Sequence, residues 1–246
     1  MESLHRQEYP IHDIYLDCFG RPKLSAILYF AQDAAGRHCD RLKLDWQTLA
    51  EKELFWAVTR HGVRVTRLPE PGETITVETW PMPTTRVAFP RSTAAFDKDG
   101  RELFRVISLW VLMNSRTRAL VLPGKSGVEV PGILRGGELP VPGSLAPGMP
   151  EEHSLRTVGF TELDRNGHMN NTRYLDWVAD LLPADFHREH PVKELTVCYL
   201  SEAREGQRIS LSRSLSEEGT LLVDAHRERT DGDTGNTRVF TAKIQY

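Results

Sequence analysis

Apolar residues along this chain keep two different periods, and each period occurs twice. Leu24, Ile27, Leu28, Ala31 and Ala35 follow the i, i+3, i+4, i+7 spacing that lays one stripe along a helix. Tyr174, Trp177, Val178, Leu181 and Leu182 repeat that spacing until Pro183, which cannot continue a helix. After each helix the period drops to two. Ile75, Val77 and Thr79 alternate in "ETITVETW", Ile209 and Leu211 in "QRISLSRS", and Phe240, Ala242, Ile244 and Tyr246 in "RVFTAKIQY". Such alternation marks antiparallel strands with one buried and one solvated face. "ELFRVISLWVLM" (102–113) is apolar on both faces in places and reads as a central strand. A lone amphipathic helix needs a sheet to lie against.

Between the two patterns, residues 121–150 carry seven Gly and six Pro, out of 18 and 15 in the whole chain. That composition reads as a partly extended linker. It predicts an N-terminal domain over 1–122, a linker over 123–150 and a C-terminal domain over 151–246. The two pieces look alike. Asp164 and Gly167 match Asp17 and Gly20 at a shift of 147 (164 − 17, 167 − 20), and Trp177 matches Phe30. "VRVTRLPEPGETITV" (63–77) matches "VCYLSEAREGQRISL" (197–211) at a shift of 134. Two matches in the same order indicate a diverged internal duplication. A helix followed by antiparallel strands that wrap it is the hotdog arrangement. The expected class is therefore α+β, with tandem hotdog domains, each an antiparallel sheet wrapped around a long central helix.

Composition narrows the functional classes. The 246 residues are 39% hydrophobic and 26% charged, with a net charge of −3, which gives no reason to expect a nucleic-acid partner. Cys18, Cys39 and Cys198 are odd in number and far apart, with no C-x-x-C and no zinc-like Cys/His spacing. They read as buried thiols in a reducing compartment, and no metal or organic cofactor is expected. The N-terminal "MESLHRQEYPIHDIYL" lacks a charged-then-apolar signal pattern, and no apolar run approaches 18 residues. The expectation is no membrane span and a cytoplasmic location.

The stretch "ELDRNGHMNNTRYLDWV" (162–178) sets Asp164, Asn166, His168, Asn170 and Asn171 just before the second helix or in its first turn. Asn and Asp are good N-caps, but capping requires neither five such residues nor a histidine. A helix N-terminus presents open N–H groups that suit an oxyanion developing on a carbonyl. A histidine beside it can polarise that carbonyl, move a proton or order a water.

These residues carry a family resemblance. D-x-N-x-H-x-N-N-x-x-Y followed by Trp, standing here as Asp164, Asn166, His168, Asn170, Asn171, Tyr174 and Trp177, resembles the signature of acyl-acyl-carrier-protein thioesterases. "FWAVTRHGVRVTRLPEPGETITVETWP" and "YLSEAREGQRI" extend the resemblance over nearly the whole chain. It implies hydrolysis of the thioester of fatty acyl-acyl carrier protein, releasing free fatty acid and holo-carrier protein. It implies catalytic roles for Asp164, Asn166, His168 and Glu202, the last on a strand of the C-terminal half, and substrate or oxyanion contacts at Met169, Asn170 and Asn171. The partner would be an acidic acyl carrier protein, with Arg60, Arg64, Arg67, Arg86 and Arg91 as candidates for a basic docking surface. A homodimer fits the same pattern. Plant members carry a cysteine directly after the glutamate; here that position is Ala203, so no cysteine nucleophile operates there, and Cys198 reads as packing.

The duplication adds a separate argument. The shift of 147 carries Asn166 onto Phe19 and His168 onto Arg21, and the shift of 134 carries Glu202 onto Leu68. The first half keeps the fold pattern and loses the polar set. The expectation is chemistry in the second half and acyl-chain binding in the first. Ala26, Ala31, Ala34, Ala35 and Gly36 of the first helix either leave room for that chain or permit close packing. In the expected mechanism Glu202 activates a water, directly or with His168. Asn166 holds the water or the carbonyl. Asp164 orients Asn166 or His168, or acts as an alternative base or nucleophile. The rival readings are an acyl-CoA thioesterase of the same fold and a non-catalytic acyl-thioester-binding module. A hotdog hydratase, with its D-x-N-P-x-H pattern, fits poorly because "DRNGH" lacks the proline and the spacing.

Overall fold

The first helical stripe forms the longest helix in the computed structural model, which describes residues 3–146, 152–228 and 237–246. Helix α1 (Leu24–Leu42) buries Ala26, Ile27, Leu28, Phe30, Ala31, Ala34 and Ala35 along one face. By its contacts the chain divides into two units, Met1–Pro142 and Gly143–Tyr246. In the first, antiparallel strands run in the order β1 (His5–Pro10), β3 (Thr74–Pro81), β4 (Phe89–Phe96), β5 (Glu102–Asn114) and β2 (Leu54–Val65), with the short β6 (Leu120–Val121) on β5. Helix α1 packs on β1 and β3. The short α2 (Trp46–Ala50) is capped by Asp45 Oδ1, which accepts from the Gln47 and Thr48 amides.

The Gly/Pro-rich stretch up to Pro142 belongs to this first unit, and Gly143 begins the second. One helical turn, α3 (Pro123–Ser126), starts it. Val128 is buried with Leu42, Leu49, Leu54, Phe89 and Leu112. The Ile133 N–H donates to Pro81 O at 2.9 Å. Gly132 lies so close to Met82 that a Cβ would stand 2.4 Å from its carbonyl oxygen; only glycine permits this approach. Residues 147–150 of the predicted linker lie outside the described residues.

The second unit repeats the strand order: β7 (Glu152–Thr157), β9 (Arg208–Leu215), β10 (Thr220–Arg227), β11 (Thr237–Gln245) and β8 (Glu194–Tyr199), all antiparallel. The bounds of β7 are those of β1 shifted by 147, and the bounds of β9 are those of β3 shifted by 134. Single hydrogen bonds repeat as well. Ile11 N–H donates to Glu73 O at 2.8 Å and Val158 N–H to Gln207 O at 3.0 Å; Gly72 N–H donates to Ile11 O and Gly206 N–H to Val158 O. Each unit is a hotdog domain.

The second helix is shorter than its sequence stripe. Helix α4 (Arg173–Ala179) has seven residues against nineteen in α1, which accounts for nearly all of the difference between the two shifts. Tyr174, Leu175, Trp177 and Val178 are buried, with the Tyr174 ring 4.9 Å from Phe240. Leu181 and Leu182 sit in a turn, their amides bonded three residues back, before Pro183 and helix α5 (Ala184–Glu189). At the other end, Asn170 Oδ1 accepts from both the amide and the hydroxyl of Thr172. This Asx turn delays the helix to Arg173. The polar residues 164–171 therefore form a loop ahead of the helix, outside its first turn.

Candidate active site

Asp164 builds the loop. Its N–H donates to His168 O at 2.7 Å, and its Oδ1 accepts from the amides of Asn166 (2.8 Å) and His168 (3.2 Å). Gly167, at φ +76°, closes the turn by donating to Asp164 O. The same turn stands in the first unit: Asp17 N–H reaches Arg21 O, Asp17 Oδ1 accepts from Phe19 and Arg21, and Gly20 has φ +73°. A third copy joins β4 to β5, where Asp97 Oδ1 accepts from Asp99 and Arg101 and Gly100 has φ +78°. Neither of the other copies contains an Asn–His pair. What singles out the turn at 164 is what it displays: Asn166, exposed at its tip, and His168, only 9% exposed at its end.

Glu202 follows the end of β8 instead of lying on a strand. The amides of Leu200 and Ser201 both donate to Val239 O, so the chain leaves the sheet there. The next link is Ala203, which is fully buried (0% exposed). Its carbonyl accepts the Met169 N–H at 2.8 Å. His168 and Glu202 each precede a member of the Met169–Ala203 bond, and their side chains meet, Nε2 to Oε2, at 3.1 Å. The Glu202 side chain is 37% exposed, so water reaches it. Arg204 Nη2 lies 3.9 Å from the same oxygen. Burial first, and then the charges of Asp164, Glu202 and Glu162, push the Tyr174 phenol above its ordinary range, so it stays neutral.

The expected oxyanion donors are corrected by this geometry. The amide of His168 is held by Asp164 Oδ1, that of Met169 by Ala203 O and that of Asn170 by Glu162 O. None of the three is open to a substrate, and α4 begins only at Arg173. In this loop the Asn171 N–H makes no hydrogen bond among the described residues, while its carbonyl accepts from Tyr199 Oη at 3.0 Å. Glu162, whose role the motif does not reveal, holds the loop's base: Oε1 accepts from Trp177 Nε1 at 2.6 Å and Oε2 from the Gly159 amide. Cys198 is buried with Sγ 3.6 Å from Gly143 O.

The candidate docking arginines scatter. Arg91 is buried, Arg67 pairs with Glu73 and Asp97, Arg64 with Glu102, and Arg60 donates to Pro142 O. Arg86 is exposed and has no partner among the described residues.

Comparison with known proteins bears on both units. Residues 2–122 match the Acyl-ACP thioesterase N-terminal domain and residues 149–245 the Acyl-ACP thioesterase C-terminal domain. The chain belongs to the acyl-ACP thioesterase family. It is 31% identical to the dodecanoyl-[acyl-carrier-protein] hydrolase of Umbellularia californica, over 78% of this chain and 53% of that protein. A solved oleoyl thioesterase (putative) from Lactobacillus plantarum superposes with a TM-score of 0.82 at 26% identity, covering 99% of this chain and 95% of that one. An acyl-ACP thioesterase from Bacteroides thetaiotaomicron shares the fold with a TM-score of 0.85 at 22% identity, covering 99% and 97%. The chain spans little more than half the length of the curated relatives it matches.

Proposed function

We propose that the protein hydrolyses the thioester of a fatty acyl-acyl carrier protein, releasing a free fatty acid and the carrier's thiol. The observation that carries this reading is the 3.1 Å contact between His168 Nε2 and Glu202 Oε2, in the half of a duplicated chain where the other half has Arg21 and Leu68. Family membership and the names of the relatives support the substrate class. Glu202 takes a proton from a water as that water attacks the thioester carbon. The carbonyl oxygen becomes an oxyanion, for which the Asn171 amide and the Asn166 side chain are the candidate donors. Collapse of the tetrahedral intermediate breaks the C–S bond, and the proton passes through the His168–Glu202 pair to the leaving thiolate. Asp164 acts through the backbone it holds. Chemistry resides in the second unit, and the first binds the acyl chain.

The proposed partner is an acidic acyl carrier protein. Arg86 is the docking candidate that is exposed and has no partner among the described residues. No helix among the described residues is long and apolar enough to cross a membrane. A cytoplasmic location is part of the proposal, supported by three cysteines that are all free. The test is thiol release from acyl carrier protein and from CoA esters. Turnover of CoA esters alone would replace this reading with the acyl-CoA one.

A further inference from the structure

A polar belt crosses the first sheet where an apolar core is expected. In register, His5 on β1 faces Thr79 on β3, which faces Thr93 on β4; one step along, Arg91 on β4 faces Ser108 on β5, which faces His61 on β2. Strand alternation puts all six on one face. His38 of α1 meets that face, with Nδ1 3.1 Å from Arg91 Nη1 and its ring stacked 5.8 Å from His5. The belt thus lies under the helix, and all seven residues are buried. Apolar rows flank it: Val77, Ala95 and Phe104 on one side, Phe89 and Trp110 on the other.

The belt is not balanced within itself. Arg91 is 6% exposed, yet among the described residues no carboxylate pairs with it; its partners are His38, Thr79 and the Cys39 thiol. Both ring nitrogens of His5 are buried with no hydrogen-bond partner among the described residues. A guanidinium without a counter-charge and an imidazole with both nitrogens unpaired are each unfavourable in a core. One added group relieves both: an anion that accepts from Arg91 and from the His5 N–H. The apolar rows on either side suit a hydrocarbon attached to that anion. We propose that Arg91, His38 and His5 form a carboxylate-binding site beneath α1 for a free fatty acid. The site rests on the belt and not on the hydrolytic reading.

Calorimetric titration of the full chain with octanoate and with 1-octanol tests it, on wild type, Arg91→Met and Glu202→Gln. Wild type and Glu202→Gln should bind octanoate at least about tenfold tighter than octanol, and Arg91→Met should lose about that factor for octanoate alone. His5→Phe, with the same expected loss, serves if circular dichroism finds Arg91→Met unfolded. Equal affinity for acid and alcohol, no binding, or octanoate binding lost in Glu202→Gln and kept in Arg91→Met would each overturn the proposal. Hydrolysis of acyl carrier protein thioesters, measured on the same wild-type preparation, judges the hydrolytic reading separately.

Discussion

Asp17 and Asp164 stand 147 positions apart and make the same hydrogen bonds, each carboxylate oxygen accepting from the amides two and four residues on. The first unit has no His–Glu pair at the matching positions, so the shared aspartate is a turn-forming residue before it is anything else. Asp17→Ala and Asp164→Ala are each expected to cost about 1–2 kcal/mol, read from the denaturant midpoint. Asp164→Asn keeps the acceptor and should retain both stability and hydrolysis to within about tenfold. A loss of about 10³-fold with stability intact would give the carboxylate a chemical role.

Glu162 joins the base of the loop to the helix through Trp177 Nε1 and the Gly159 amide. Glu162→Ala leaves the buried indole N–H unpaired and should destabilise the protein by about 1–3 kcal/mol. Glu162→Gln, which keeps an acceptor, should recover part of that. Thermal unfolding followed by tryptophan fluorescence measures both, and an unchanged Glu162→Ala would contradict the assignment.

His61, buried beside Ser108, is pushed down to about 3 by burial. An unfolded histidine titrates near 6.5. Below that pH the unfolded chain gains a proton that the folded chain refuses. The His61 contribution is therefore intact above about pH 6.5 and lost as pH falls toward 3, by at most about 1.4 kcal/mol per pH unit. Urea unfolding between pH 6.5 and 4.5 should show a slope that His61→Gln reduces. An unchanged slope would mean that His61 is protonated in the folded state.

Much of this architecture was legible in the sequence because the duplication is written in turn residues. Asp17 and Gly20 recur as Asp164 and Gly167, and a left-handed glycine after an Asx turn is a local requirement that side-chain divergence does not erase. The extent of the second helix was not legible: the stripe continues to Leu182, but the Asn170 Asx turn and Pro183 trim it at both ends. The open amides expected at Met169 and Asn170 failed for a tertiary reason, since Ala203 and Glu162 supply their acceptors from 34 and 8 residues away (203 − 169, 170 − 162). The belt around Arg91 was invisible because its members come from five strands and one helix, and only the register assembles them.

The central claim is that Glu202, held against His168, activates water on an acyl carrier protein thioester. The most direct measurement is free-thiol release from acyl carrier protein thioesters of graded chain length by wild type and Glu202→Gln, with circular dichroism on both. The account predicts turnover by wild type and a drop of about 10²–10³-fold in kcat for Glu202→Gln, with the fold unchanged. Turnover that survives the substitution, or none by wild type alongside tight binding of the acyl thioester, would contradict it.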